Sequence, residues 1–271
     1  MTRKEKLNMI EDVLEVELGS LKESDLLSKI SEYDSMSKLS LIVMCDEEFE
    51  KKLSGEQIRQ FKTVGDILDF LESMQVRRVI NDVFYSNTFI LISELNDNAW
   101  IIDPGDIDKI VEILPKKCSV KGVFITHYHF DHIYGLNSLT YLFPGLVVFA
   151  TEIIATGLYS DKMNLSYYHN QSFVYQGKNL IFLSDNEVVD LDNGNKIVAI
   201  DTSGHNESCL SFMLNNYLFT GDSYIPNVKL VTNLPRSNKE KAKKSLERIL
   251  GLIKDDTIVC PGHGAIIKNG Y

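Results

Sequence analysis

The chain has 271 residues, 44% of them hydrophobic, enough for one large domain and a small one. Its net charge of −10 and pI near 5.1 argue against a nucleic-acid partner, which needs clustered lysine and arginine to neutralise phosphate. No apolar run reaches the roughly 18 residues of a membrane span. The basic start Met1-Thr2-Arg3-Lys4-Glu5-Lys6 leads into an acidic amphipathic segment rather than a signal-peptide core, so a cytoplasmic protein with reduced thiols at Cys45, Cys118, Cys209 and Cys260 is expected.

Residues 1–74 hold 17 Asp or Glu against 10 Lys or Arg, a net of −7, whereas the remaining 197 hold 21 against 18, a net of −3. The acidity is thus concentrated in a small N-terminal unit. Its apolar residues fall at helical spacing: Ile10, Val13, Leu14 and Leu18, then, with slippage, Leu39, Leu41, Ile42, Phe49 and Leu53. A third helix is predicted over Val64 to Leu71, with Thr63 as N-cap and Asp66 three residues on. The plain reading is an acidic helical bundle, with Asp34-Ser35 an ordinary cap. The segment Glu32 to Glu72 also resembles an acyl or peptidyl carrier protein, through Asp34-Ser35-Met36, the acidic helix with Asp46-Glu47-Glu48-Phe49, and Thr63-Val64-x-Asp66. Met36 replaces the family's leucine, a size-conserving swap. The resemblance implies 4′-phosphopantetheine on Ser35, and a phosphopantetheinyl transferase and a synthase as partners.

The joint at Ser73 to Arg78 has no Gly/Pro/Ser-rich linker, and the expected domains are 1–76 and 77–271. Downstream, strands are predicted at Val83 to Glu94 (interrupted), Ala99 to Ile102, Val123 to Thr126, Leu146 to Phe149, Lys196 to Ile200, Cys209 to Leu214, Tyr217 to Phe219 and Thr257 to Cys260. Helices are predicted at Ile107 to Leu114, Phe130 to Leu139, Glu152 to Leu158 and Lys239 to Leu252.

Four potential metal ligands follow the strand ending near Thr126: His127, His129, Asp131 and His132. His205, Asp222 and His263 also follow apolar strand-like segments and stand beside glycines, which let the backbone turn sharply. Neutral imidazole and carboxylate are donors that zinc, iron and manganese all accept. The run His-x-His-x-Asp-His, with His205, Asp222, His263 and the turn Asp103-Pro104-Gly105, resembles the metallo-beta-lactamase superfamily over residues 78–271.

That resemblance implies an α+β chain, an αββα four-layer sandwich preceded by the helical bundle. It implies two divalent metal ions, zinc by expectation. His127, His129 and His205 would hold one ion, and Asp131, His132 and His263 the other, with Asp222 bridging. Asp131 and Asp222 are the expected catalytic carboxylates. The aspartate bridge is similar to the glyoxalase II, lactonase and RNase Z branches, and the acidic charge disfavours the last. Asn164-Leu165-Ser166 is similar to a glyoxalase-II-like segment, which makes Asn164, Tyr167 and Tyr168 candidate substrate contacts. His169 matches no ligand position and reads as a surface or pocket-wall residue.

Two cations roughly 3.5–4 Å apart can share a water, lower its pKa and stabilise the oxyanion formed when it attacks a carbonyl. With a carrier-like unit on the same chain, the expected substrate is a carrier-bound acyl thioester, delivered within the chain or across a homodimer. The alternative is a small free substrate such as a lactone or acyl-CoA, with the helical unit as a docking module.

Overall fold

The computed structural model describes all residues except 1, 50, 52, 73, 94–96, 192–194 and 269–271. Ser73 and Glu94, which ended two of the segments above, therefore lie outside the described residues. The chain divides into two compact units, Met1–Ser73 and Met74–Tyr271. The expected boundary after residue 76 falls inside a strand, because Gln75 and Val76 pair with Ile92 and Leu91.

The first unit is helical: α1 (Arg3–Val13), α2 (Ser35–Phe49), α3 (Gly55–Gln60) and α4 (Val64–Glu72). A capping box of Thr2 and Glu5 opens α1. Asp34 caps α2, its Oδ1 accepting from the backbone N–H of Met36 at 2.8 Å and Ser37 at 3.0 Å. Thr63 and Asp66 exchange hydrogen bonds ahead of α4, as the spacing predicted. The short α3 was not foreseen, although Ser54 and Gln57 form a capping box legible in the sequence. Ile10, Leu41, Cys45, Ile67 and Leu68 build the core. Leu18 and Leu39, expected on apolar faces, are exposed, since α1 ends at Val13 and Leu39 lies on the outer face of α2. Lys51 and Lys6 are buried, but Lys51 Nζ donates to the carbonyls of Phe70 and Leu71, and Lys6 Nζ to Leu71. Cations there satisfy the last turn of α4 and complement its dipole.

Among the described residues the second unit holds two six-stranded sheets. The first runs β1 (Gln75–Ile80), β2 (Asn87–Ile92), β3 (Asn98–Ile102), β4 (Ser119–Phe124), β5 (Val147–Ala150) and β6 (Leu180–Phe182), parallel from β3 onward. The second lies in the order β12 (Ile267–Lys268), β11 (Ile258–Pro261), β10 (Tyr217–Gly221), β9 (Leu210–Leu214), β8 (Lys196–Asp201) and β7 (Val188–Asp190). The inner faces meet through Phe89 on Phe219, with ring centroids 5.2 Å apart, and Phe124 on Phe212, also 5.2 Å. Helices α5 (Ile107–Ile113), α6 (Leu136–Leu142) and α7 (Glu152–Leu158) add Ile110, Leu136 and Ile154 to this core. Helix α8 (Lys239–Leu252) packs Ile249 on Ile200 and Leu218. This is the α+β sandwich expected.

The strands not foreseen, β1, β6, β7 and β12, are the four sheet edges. An edge strand is paired on one side only and can be short and polar, so periodicity misses it. The helix predicted over Phe130 to Leu139 is instead a 3₁₀ turn, Phe130–His132, followed by α6. Gly135 lies between them, so close to the Gly105 carbonyl that a Cβ would meet it at 2.0 Å. The backbone is committed to that contact before α6 begins.

Candidate metal centre

Strand direction gathers the candidate ligands. β9 is antiparallel to both β8 and β10, and β11 is parallel to β10, so β8, β10 and β11 all run the same way. Their C-terminal ends release His205, Asp222 and His263 at one edge of the second sheet. The end of β4 releases the run from His127 to His132, and the Leu210 N–H donating to the Thr126 carbonyl at 2.7 Å ties the two sheets there.

Seven side chains converge. His127, His129 and His205 bring ligand atoms within 4.8 Å of one another, as do Asp131, His132 and His263. Asp222 stands between the groups: its Oδ2 lies 3.6 Å from His205 Nε2 and 3.5 Å from His263 Nε2, and its Oδ1 is 3.5 Å from His132 Nε2. Asp131 Oδ2 is 3.1 Å from His263 Nε2 and 3.3 Å from His132 Nε2.

Oxygen partners fix the tautomers. His205 Nδ1–H donates to the Val231 carbonyl at 3.0 Å, and His263 Nδ1–H to the Phe84 carbonyl at 3.1 Å. His132 Nδ1–H donates to Asp103 Oδ2 at 3.0 Å. The Thr126 hydroxyl donates to Asp103 Oδ2 at 2.6 Å, so its oxygen is left to accept from His127 Nδ1–H at 3.0 Å. In the neutral form that binds metal, all four rings would therefore present an Nε2 lone pair, held by an oxygen behind it. His129 presents Nδ1, 3.0 Å from His205 Nε2.

These lone pairs face one another, a costly arrangement unless a cation stands among them. His127 Nε2 and Asp222 Oδ1 are buried with no hydrogen-bond partner among the described residues. Buried polar atoms are rarely left so, and both belong to the donor types that divalent metals take. The residues fit a metal pair. Asp103, His127 and His132 form a third close group. Asp103 is bonded to Thr126 and His132, however, and supports ligands rather than acting as one.

Charge agrees with this. Burial, helped by neighbouring imidazoles, pushes His127 well below its ordinary pKa and His129 down to about 3, and burial lowers His205. These rings are neutral, the form that binds metal. Burial opposes ionisation of Asp131 and of His132, but their mutual attraction outweighs it, holding Asp131 well below its usual range and His132 well above. The negative charge that favours a proton on His132 favours a metal cation equally.

A cavity of about 410 Å³ lies along α2 in the first unit, and one of about 260 Å³ opens directly onto the ligand cluster. Besides ligands, the walls of the latter include Phe84, Phe130, Leu165, His169, Val231 and Leu234. Of the substrate contacts expected from the sequence, none lines it. Asn164 is fully buried: its Nδ2 donates to the carbonyls of Gly157 and Phe173 and its Oδ1 accepts from Ser166 N–H, so it staples its own loop. Tyr167 and Tyr168 are exposed and pack edge to face on each other. The same segment supplies Leu165 and His169 instead. Ser35 lies in the first unit, exposed, in the first turn of α2.

The metallo-beta-lactamase superfamily model matches residues 81–263, most of the chain and all seven ligand positions. The chain belongs to this superfamily. Curated relatives include the probable polyketide biosynthesis zinc-dependent hydrolase PksB of Bacillus subtilis, 25% identical over 65% of this chain and 71% of that protein. The probable metallo-hydrolase M6_Spy0554 of Streptococcus pyogenes is 29% identical over 70% of this chain and 84% of its own length. Among solved structures, the BLEG-1 B3 metallo-beta-lactamase superposes with a TM-score of 0.66 at 21% identity, covering 72% of this chain and 95% of that one, a likeness of fold. The superfamily and these relatives support a hydrolase with a divalent metal site.

Proposed function

We propose that the second unit is a binuclear metal-dependent thioesterase, and that the first is a carrier-protein-like unit bearing 4′-phosphopantetheine on Ser35. The observation that carries the hydrolytic half is the pair of orphaned ligand atoms, His127 Nε2 and Asp222 Oδ1, within a cluster whose adjoining cavity is lined by no serine or cysteine among the described residues. With no side-chain nucleophile at hand, the attacking group is water.

His127, His129 and His205 would hold one cation, Asp131, His132 and His263 the other, and Asp222 both. Bound there, two divalent cations, zinc by preference, supply a water of lowered pKa and a Lewis acid for the carbonyl. Asp131 would also orient that water. In hydrolysis the water oxygen would bond to the acyl carbon as the carbon–sulfur bond breaks, one water proton passing to the sulfur to give the free thiol and the other leaving with the carboxylic acid. Thr126 and Asp103 keep the imidazoles in register throughout.

The carrier half is supported by Asp34 capping α2 and leaving the Ser35 hydroxyl exposed at the helix start. Met36, Leu39 and Val43 stand exposed along the same helix, above Glu47 and Glu48, an apolar and acidic surface suited to transient partners such as a phosphopantetheinyl transferase. The relative described as a polyketide biosynthesis hydrolase supports a polyketide-like acyl cargo.

The test is intact-protein mass spectrometry of the chain loaded at Ser35 with an acyl-phosphopantetheine, beside Asp222→Ala. The expected result is loss of the acyl mass with the arm retained, and persistence of the cargo in the variant. If Ser35 does not load, the first unit is a docking module. If Ser35→Ala hydrolyses free acyl-CoA as well as the native chain does, the substrate is a small free thioester.

A further inference from the structure

Two wall residues of the metal pocket, Phe84 (φ 51°) and Leu165 (φ 70°), have left-handed backbones, as do Tyr85 (φ 54°) next to Phe84 and Asn170 (φ 56°) next to His169. Asparagine tolerates that region, but phenylalanine, tyrosine and leucine adopt it only where their surroundings hold them there. The strain is held in place by the site itself. The Phe84 carbonyl accepts from His263 Nδ1, Ser86 Oγ donates to the Asp131 carbonyl at 2.7 Å, and Asn87 N–H donates to Gly262 O at 2.7 Å. Leu165 and Asn170 bracket the single 3₁₀ turn Ser166–His169, which the buried Asn164 staples down. The outcome of both distortions is one feature: Phe84 and His169 meet edge to face, centroids 5.0 Å apart, and with Leu165 they wall the cavity over the ligands.

We infer that Phe84, Leu165 and His169 are the specificity-determining wall, against which the first carbons of an apolar acyl group pack before a longer chain runs out into solvent. This rests on the thioesterase reading for the word acyl, and on the cavity for the length. At about 30 Å³ per water-sized group, 260 Å³ holds roughly nine heavy atoms. Val231 and Leu234 on the opposite wall are apolar, so a hydrocarbon chain is solvated by carbon on both sides. His169 is exposed on its outer side and belongs to no ligand group, so its ring forms the rim past which a chain reaches solvent.

The experiment is calorimetric titration of the zinc-reconstituted full chain with straight-chain alkanehydroxamates from acetyl to palmitoyl, whose head group chelates metal. In the native chain, affinity should rise by about fourfold per methylene, the value for complete burial, and stop rising at roughly six carbons, what remains of about nine heavy atoms once the head group's nitrogen and two oxygens are placed. In Phe84→Ala and in His169→Ala the limit should move to shorter chains. His169 is exposed, so its variant keeps the test alive if Phe84→Ala does not fold. A native affinity indifferent to chain length, or a limit unmoved by either substitution, overturns the wall. Hydrolysis of the matching acyl thioesters is measured alongside. If the hydroxamates behave as stated but no thioester is cleaved, the thioesterase reading fails and the wall stands. If thioesters are cleaved with a length profile that neither substitution alters, the reading stands and the wall fails.

Discussion

Asp103 offers a sharp test of how the centre is held, because it touches the ligands and is not one of them. Its Oδ1 accepts from Thr126 N–H at 2.8 Å, and its Oδ2 from the Thr126 hydroxyl at 2.6 Å and from His132 Nδ1 at 3.0 Å. Asp103→Asn keeps the shape, and asparagine tolerates the left-handed backbone there (φ 53°). Either orientation of the new amide places an NH2 against a donor. Facing His132, it drives the ring to the other tautomer, with a proton on the nitrogen aimed at the metals. Facing Thr126, it leaves a buried N–H unpaired. Losing a charged hydrogen bond of this kind costs about 1.5–3 kcal/mol, and loss of a ligand-orienting partner lowers metal affinity roughly 10- to 100-fold. Competition against a chromophoric zinc chelator measures it, with thermal unfolding of the metal-free protein to check the fold. A zinc affinity indistinguishable from the native value would refute the supporting role and return Asp103 to the bystanders.

Gly262→Ala would place a Cβ 2.2 Å from Asp222 Oδ1 and 2.8 Å from His132 Cε1. Turnover should fall by about 100-fold, as for an ångström-scale misplacement of reacting groups, with less bound divalent metal than the native chain by elemental analysis. Glu207 Oε1 accepts from Tyr128 OH at 3.0 Å and from Arg236 at 2.7 Å, and so ties down the chain two residues after Leu234 of the pocket wall. Because the Arg236 pair is half-exposed, Glu207→Gln should lower stability by less than about 1 kcal/mol. Steady-state kinetics should show KM raised more than kcat is lowered. Burial pushes the Cys209 thiol up to about 12 and the Cys118 thiol to about 11. In the unfolded chain these thiols ionise at ordinary values near roughly 8.5. The unfolded state therefore loses protons first, and denaturant melts should show stability falling as pH rises through that range. At neutral pH, alkylation followed by mass spectrometry should leave Cys209 unmodified until the protein unfolds.

The ligands were legible because their chemistry has few uses: three imidazoles and a carboxylate within six residues leave little else to propose. What holds them was not. Val231 and Phe84 act through backbone carbonyls, which every residue possesses, so no letter of the sequence marks them. Phe84 and Leu165 adopt a left-handed backbone that their residue types give no reason to expect. Asn164 shows a related limit: a polar residue near a pocket suggests a substrate contact, yet here the side chain bonds the backbone of its own loop. The inner strands declared themselves through continuous apolar runs, and the edge strands did not, because only one of their sides had a partner to satisfy.

The placement of the ligands at the ends of β4, β8, β10 and β11 has a consequence for how the ion is acquired. No contiguous piece of chain carries a complete site, and Asp222 and His263 arrive only once both sheets have met. Capture of a cation by the full ligand set would therefore follow the meeting of both sheets rather than seed it. An ion present at a thousandfold excess over its dissociation constant then adds about 4 kcal/mol to the finished state alone. With a divalent cation bound there, a chelator would reveal that reserve as a lowered melting temperature while both sheets stay intact at ambient temperature.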